Sequence, residues 1–336
     1  MAFDELKKLQ RGELWNRFLQ VRPERIVDEP YSYIRPLPEP VIYHYTGIDG
    51  LKGILESNRL WASAAHYLND SSEIEYGCDL AAGELAHWLE TNENVESFAV
   101  NVLKSIHRIL THPISRLSRG ATIYVACFCQ DGNLLSQWRA YGQAGGYSLG
   151  FEVDNDWQSM RLGMPGELWD STLVKVIYVR DDQRRRINSI LRQGFEAVRD
   201  IVPDERVLVG ADVAKLLVDV VQYLSELLLN QIVTFKNPAF REENEWRLVV
   251  RPNLIRGQDR KPPSRGPSPK FKFRQSRGSL IPYLELHPTD DKIPLKSVRY
   301  GPSLVGNRVE GPLRLLLADC GFTNVEVTGS ELPVIL

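Results

Sequence analysis

The chain has 336 residues, 43% hydrophobic and 25% charged, enough for one large domain or two small ones with a real core. Its formal net charge of −2 excludes a global electrostatic drive toward nucleic acid or membrane, so any such binding must come from a local patch. No apolar run approaches the roughly 20 residues that span a bilayer, and Met1 is followed by AFDELKKL rather than by a charged and then apolar leader. A cytoplasmic, reduced protein is expected. The four cysteines, Cys78, Cys127, Cys129 and Cys320, contain no CxxC pair, which argues against a structural zinc site.

In chain order, residues 1–40 read as an N-terminal extension. Asp4 to Gln20 is an amphipathic helix with Leu6, Leu9, Trp15, Phe18 and Leu19 on one side, followed by a Pro-rich stretch, Val21 to Pro40. Residues 41–336 read as a single α+β domain. Val41 to Thr46 (VIYHYT) is a strand, Ile48 to Leu55 a short helix and Arg59 to Ser63 a strand. This unit places His44 and Thr46 near Trp61. His66 to Glu73 is a loop in which Asn69 or Asp70 starts a helix and Glu73 closes a capping box. A helical insertion at 73–112 holds Glu73 to Leu89 and Val95 to Leu110.

Ala121 to Cys129 is apolar on both faces and reads as a central strand. In it Cys127 and Cys129 share a face as buried free thiols. Asn133 to Tyr141 is a helix whose Trp138 and Tyr141 rings share a side. They wall an aromatic pocket or are simply core. Tyr147 to Val153 and Leu173 to Val179 are strands. The second helical insertion, 183–230, holds Ile187 to Ile201 and Asp204 to Leu229. Glu245 to Arg251 is a buried strand. Residues 252–278 form a basic loop. Its segment Arg256 to Arg277 carries eight Lys or Arg against one acid, Asp259. Phe271 and Phe273 interleave with Lys272 and Arg274. That pattern suits phosphate neutralisation and base stacking, hence nucleic-acid contact through 256–277, or else a two-faced edge strand or solvated loop. Leu280 to Leu286, Ser297 to Tyr300 and Asn324 to Thr328 are short strands, and Arg308 to Asp319 is the last helix.

The chemistry concentrates in KNPAFREENEWRLVV, Lys236 to Val250. It sets Glu243 and Glu245 against an apolar strand, a common way to hold a catalytic acid rigidly over a cleft. The plain alternative is an edge-strand Glu245 in a surface ion pair with Arg247 or Lys236. His44, leaving a strand just before a glycine, can bond a ligand hydroxyl or move a proton, or it is a core histidine satisfied by backbone. GxGxxG, Walker A, HExxH and GxSxG patterns are all missing, which leaves no support for ATP, Rossmann-type dinucleotide, zinc-protease or serine-triad chemistry.

The ordered motifs Tyr43–Thr46, Leu68–Glu73, Trp138–Gly142, Gly150–Phe151, Lys236, Glu245–Arg247 and Gly301–Pro302 resemble the bacterial family called domain of unknown function 2971, from about Val41 to the C-terminus. This chain departs from the family pattern at Cys127–Phe128–Cys129, where a serine-rich SFS is usual. It departs again at Leu332–Pro333–Val334. A second resemblance, to the ADP-ribosyltransferase fold, implies a split, mostly antiparallel mixed sheet. It also implies a His–aromatic–Glu set carried by His44, Trp61 and Glu245, with Glu243 as a possible second acid. Tyr45, Thr46, Trp138, Tyr141 and Arg247 complete the expected NAD site. The implied activity is NAD-dependent ADP-ribosyl transfer or NAD hydrolysis, in a bacterial toxin or anti-phage defence setting, with NAD as substrate and no metal. Two rivals remain. One is a non-catalytic module binding a nucleotide or nucleic acid. The other is a nuclease with a metal on Asp70, Glu73 and Glu245.

Overall fold

The computed structural model describes residues 40–67, 72–91, 98–112, 123–141, 145–153, 170–201, 211–251, 271–276, 278–286 and 292–333. The N-terminal extension, Asp70 and the basic stretch 252–270 lie outside them, so the expectations for those segments are not addressed below.

A ten-stranded sheet runs through the described residues. Its strands are β1 (Val41–Gly47), β2 (Leu60–Ala64), β3 (Tyr124–Cys129), β4 (Gly146–Glu152) and β5 (Asp170–Lys175), then β6 (Glu245–Arg251), β7 (Lys272–Ser276), β8 (Ser279–Leu286), β9 (Leu295–Tyr300) and β10 (Glu326–Gly329). Every ladder is antiparallel except β9 with β10. The fold is therefore mixed α+β with a mixed open sheet.

The sheet branches at β3. One edge of β3 pairs along its whole length with β6, from Tyr124↔Val250 to Cys129↔Glu245. The other edge is shared by two strands. β1 meets it at Cys129 through Tyr43, and β2 meets it at Val125 and Tyr124 through Ser63 and Ala64. Between those contacts Ala126, Phe128 and Cys127 have no strand partner on that edge, which leaves a notch between β1 and β2.

Alternation along β6 sorts the two faces. Trp246, Leu248 and Val250 enter one core with Tyr124, Ala126 and Phe128 of β3 and with Leu149 and Phe151 of β4. That face is covered by α1 (Ile48–Ser57), which buries Leu51, Ile54 and Leu55, and by α7 (Gly306–Asp319), which buries Leu313 and Leu317. The opposite face carries Val125 and Val249 under a layer of four helices. These are α2 (Ser72–Thr91), α3 (Phe98–Thr111), α5 (Arg180–Ile201) and α6 (Ala211–Ile232). Each large aliphatic side chain so removed from water contributes about 1.5–3 kcal/mol.

Several boundaries differ from the sequence reading. α5 begins about two turns before Ile187, because Gln183, polar in sequence, is completely buried there and bonds the backbone of Ile177 and Lys236. The strand expected at Leu173 to Val179 is Asp170–Lys175, with Ile177 making only an isolated bridge to Phe235. Lys272–Ser276, inside the expected basic loop, is the edge strand β7 paired with β8. The helix read from Asn133 is α4 (Leu135–Tyr141).

Candidate functional site

Two polar groups flank β3. The first lies between β6 and the helical layer. Lys236 Nζ donates to Glu243 at 2.6 Å and to Glu245 at 2.8 Å, and stands 2.9 Å from Glu73 Oε1. Arg247 Nε donates to Glu245 Oε1 at 2.7 Å, its terminal nitrogens reach Glu245 Oε2 and Glu73, and Nη1 donates to the Val233 carbonyl at 2.7 Å. Val233 follows the C-terminus of α6, where carbonyls are unsatisfied and a cation is favoured. Arg247 is fully buried, Glu245 is 3% exposed and Lys236 6%.

Backbone geometry fixes this cluster. Asn237 caps the 3-10 turn Pro238–Glu243 by accepting from the Ala239 N–H. Asn244 takes the left-handed conformation at φ 41°, which turns the chain into β6. The Glu245 N–H donates to Tyr178 Oη at 3.0 Å. Glu245 is thus neither on an edge strand nor in a surface pair: β6 is flanked by β3 and β5, and the ion pairs are buried. Glu73, read as the acid of a capping box, instead spans Lys236 and Arg247, because it faces the sheet from the first turn of α2.

The electrostatics follow from burial against pairing. Burial alone would raise the Glu245 carboxyl; Arg247 and Lys236 reverse this and hold it at about 2. Burial would likewise lower Lys236, but Glu245 and Glu73 lift it well above its ordinary value. Glu243, at the cluster's rim, is raised because burial outweighs its bond to Lys236. Burial pushes the Cys127 thiol well up, with Glu245 adding to the effect.

The second group lies at the notch. His44 Nδ1 bonds the Cys127 carbonyl at 2.8 Å. A carbonyl only accepts, so Nδ1 carries the proton and Nε2 of the neutral ring is left as an acceptor. Burial holds His44 below its ordinary pKa, the Cys127 carbonyl opposes this, and the charge of Arg274 adds to the lowering. On the other lip, Trp61 stacks on Tyr283 at 4.7 Å. Arg274, from β7, reaches back to Ser63 Oγ at 3.1 Å. Burial raises the Tyr141 hydroxyl, with Cys127 and Glu245 adding to the effect.

The remaining expected site residues divide plainly. Tyr45 is buried; its hydroxyl donates to the Asp131 carbonyl at 2.9 Å and accepts from the Leu134 N–H at 2.8 Å. Trp138 packs edge-on against Tyr45 at 4.9 Å and donates Nε1 to Asn133 Oδ1 at 3.0 Å. Both therefore build a small core with Cys129 rather than an open aromatic wall. Thr46 is partly buried beside Gly50 of α1. Arg274 is read in the sequence only as part of the basic FKFR pattern, for nucleic-acid contact or an edge strand; nothing local marks Ser63 or Tyr283.

Lys236 and Arg247 fill the space among Glu73, Glu243 and Glu245, and the described residues hold no group of three or more His, Cys, Asp or Glu side chains arranged to take a metal. Asp70, the third ligand of the nuclease reading, lies outside the described residues.

Residues 137–248 match the family model described as protein of unknown function (DUF2971). The family resemblance read from the motifs is thereby shown over this segment, about a third of the chain. The DUF2971 segment takes in Tyr141, Lys236, Glu245 and Arg247, whereas His44, Trp61 and Arg274 lie outside it. No curated protein and no solved structure matches the chain.

Proposed function

We propose that the chain cleaves the nicotinamide–ribose bond of NAD at the notch, as an NAD glycohydrolase or an ADP-ribosyltransferase, in a toxin or phage-defence role. The observation that carries this reading is the branching of the sheet at β3. It sets His44 on one lip, Trp61 on the other and Glu245 one strand across, with Glu245 on the face of Cys129 and Tyr43 and His44 on the Phe128 face, its ring turned to the Cys127 carbonyl at the notch. The branching supports the His–aromatic–Glu order that the ADP-ribosyltransferase resemblance implies, within one continuous sheet rather than a split one.

The chemistry suits the groups. Breaking the glycosidic bond builds positive charge on the ribose, and a fixed carboxylate in a water-poor site stabilises it. Held at about 2, Glu245 is ionised throughout the working pH range. That fits a charge stabiliser and not a proton donor. Its surroundings place three carboxylates against two cations, so the local charge is not neutralised. Neutral His44 offers Nε2 to a ribose hydroxyl. Nicotinamide leaves without needing a proton, so one acid suffices.

The test is NAD consumption by purified protein, read as nicotinamide release, for wild type, Glu245→Gln and His44→Ala, each checked for a cooperative melt. Release by wild type and not by folded Glu245→Gln is the expected result. No release, with or without cell lysate as a source of acceptors, overturns the reading.

A second reading has its own observation. Both Glu245 oxygens already accept bonds from Arg247 and Lys236, which suits a structural role beneath a cleft that only binds a nucleotide. It predicts nucleotide binding that survives Glu245→Gln.

A further inference from the structure

We infer that Arg274, with Ser63, is the anchor for the phosphate or pyrophosphate group of a nucleotide lying in the notch between β1 and β2. The inference rests on the notch being the nucleotide cleft proposed above, but it requires no bond cleavage.

A guanidinium carries five N–H donors and a permanent charge, and the further it is withdrawn from water the more it needs acceptors to match them. Arg247 satisfies that rule with Glu245, Glu73 and a carbonyl. Arg274 does not. It is partly buried, and among the described residues its one hydrogen-bond partner is Ser63 Oγ at 3.1 Å, with no ion pair. The carboxylate on the adjoining strand, Glu285, is already held by Arg59 at 2.6 Å and Lys272 at 2.7 Å. Burial accordingly lowers the Arg274 pKa, and no acid restores it.

Apart from His44, whose Nε2 accepts, the neighbours are donors. Ser63, 7% exposed, accepts from Arg274 and keeps its own hydroxyl proton to give. The Tyr141 and Tyr283 hydroxyls are both kept protonated by burial. Trp61, stacked on Tyr283, has a buried Nε1 with no acceptor. One unmatched cation among unspent hydroxyl and indole donors is the complement of an oxyanion, and the planar guanidinium fork fits phosphate oxygens two at a time. An acidic ligand would restore the charge balance that the fold leaves open at this point. The positions come from β2, β7, β8 and the end of α4, so the anchor is assembled from distant parts of the chain.

The experiment is calorimetric titration of the full chain with ADP-ribose, adenosine and inorganic pyrophosphate, for wild type, Arg274→Met, Arg274→Lys and Ser63→Ala. Wild type is expected to bind ADP-ribose and pyrophosphate, and Arg274→Met to bind both about tenfold or more weakly, with adenosine unchanged. Arg274→Lys should recover part of the loss. Unchanged affinity for both phosphate probes in a folded Arg274→Met protein overturns the assignment, and so does absence of pyrophosphate and ADP-ribose binding to wild type. Should Arg274→Met fail to fold, Arg274→Lys and Ser63→Ala decide: weaker binding of both phosphate probes supports the anchor, and wild-type affinity overturns it. Arg274-dependent pyrophosphate binding without NAD consumption would keep the anchor and remove the transferase reading. NAD consumption with unchanged KM in Arg274→Met would do the reverse.

Discussion

The two arginines make the useful comparison. Arg247 and Arg274 both leave strands of one sheet, and both are withdrawn from bulk water. Around Arg247 every charge has a protein partner: Glu73, Glu245 and the Val233 carbonyl on one side, Lys236 bridging three carboxylates on the other. Around Arg274 the one hydrogen-bond partner among the described residues is a serine hydroxyl. A saturated cluster ties helices to sheet and holds Glu245 fixed and ionised for the reaction proposed above, whereas an unsaturated one keeps its donors for something that arrives. The position of charge within a fold therefore says less about function than whether that charge has been answered.

The comparison breaks most visibly at Arg247. Arg247→Met leaves Glu73 and Glu245 buried with only Lys236 between them, and should lower unfolding free energy by about 3–5 kcal/mol in denaturant titration. Equal stability of the variant would mean that the cluster is dispensable.

Acid should come next. Glu245 is held near 2, below its ordinary value of 4.5, so its contribution is complete above about pH 5 and disappears as the pH falls toward 2. Wild type is expected to lose about 3 kcal/mol over that interval through this group. The raised Glu243 opposes it, because protonation there favours the folded state. In Glu245→Gln the decline should flatten, measured as denaturant midpoints from pH 7 to pH 3.

Tyr178→Phe removes the acceptor of the buried Glu245 N–H and should cost about 1–3 kcal/mol. A smaller cost would indicate that water replaces the hydroxyl.

The smallest stability effect is expected at Arg274. Arg274→Met should change unfolding free energy by less than about 1 kcal/mol, since no ion pair is lost. A loss as large as that of Arg247→Met would show that Arg274 belongs with the structural group.

Much of the architecture could be read from periodicity. The apolar run in EWRLVVR marks β6 as a buried strand, and the doubly apolar ATIYVACFC marks β3 as central; which face of β6 meets which core comes from the pairing. The Lys236 and Arg247 pairing of Glu245 was one of the readings available; its depth was not, because sequence carries no measure of what covers a strand. Tyr45 and Trp138, expected as ligand contacts with core as the alternative for Trp138, lie in a small core for a related reason. An aromatic is a good wall or a good core filler according to its neighbours, and Asp131 and Asn133 supply local hydrogen bonds that settle Tyr45 and Trp138 inside. The notch was least visible of all. It depends on β1 and β2 leaving one edge of β3 at different ends, which only three-dimensional pairing reveals.

The branching at β3 also sets an order of assembly. His44 must find Cys127 across 83 positions, and Arg274 must find Ser63 across 211. The loop that joins Lys236 to Glu245 closes over nine. As the polypeptide emerges from the ribosome, the ionic cluster can form once β6 has been made, while the Arg274 lip must wait for β7 and β8. Long-separation contacts are also the slow ones to form. A chain halted before residue 270 would carry the cluster without the anchor, so competence to hold a ligand at the notch is tied to completion of synthesis.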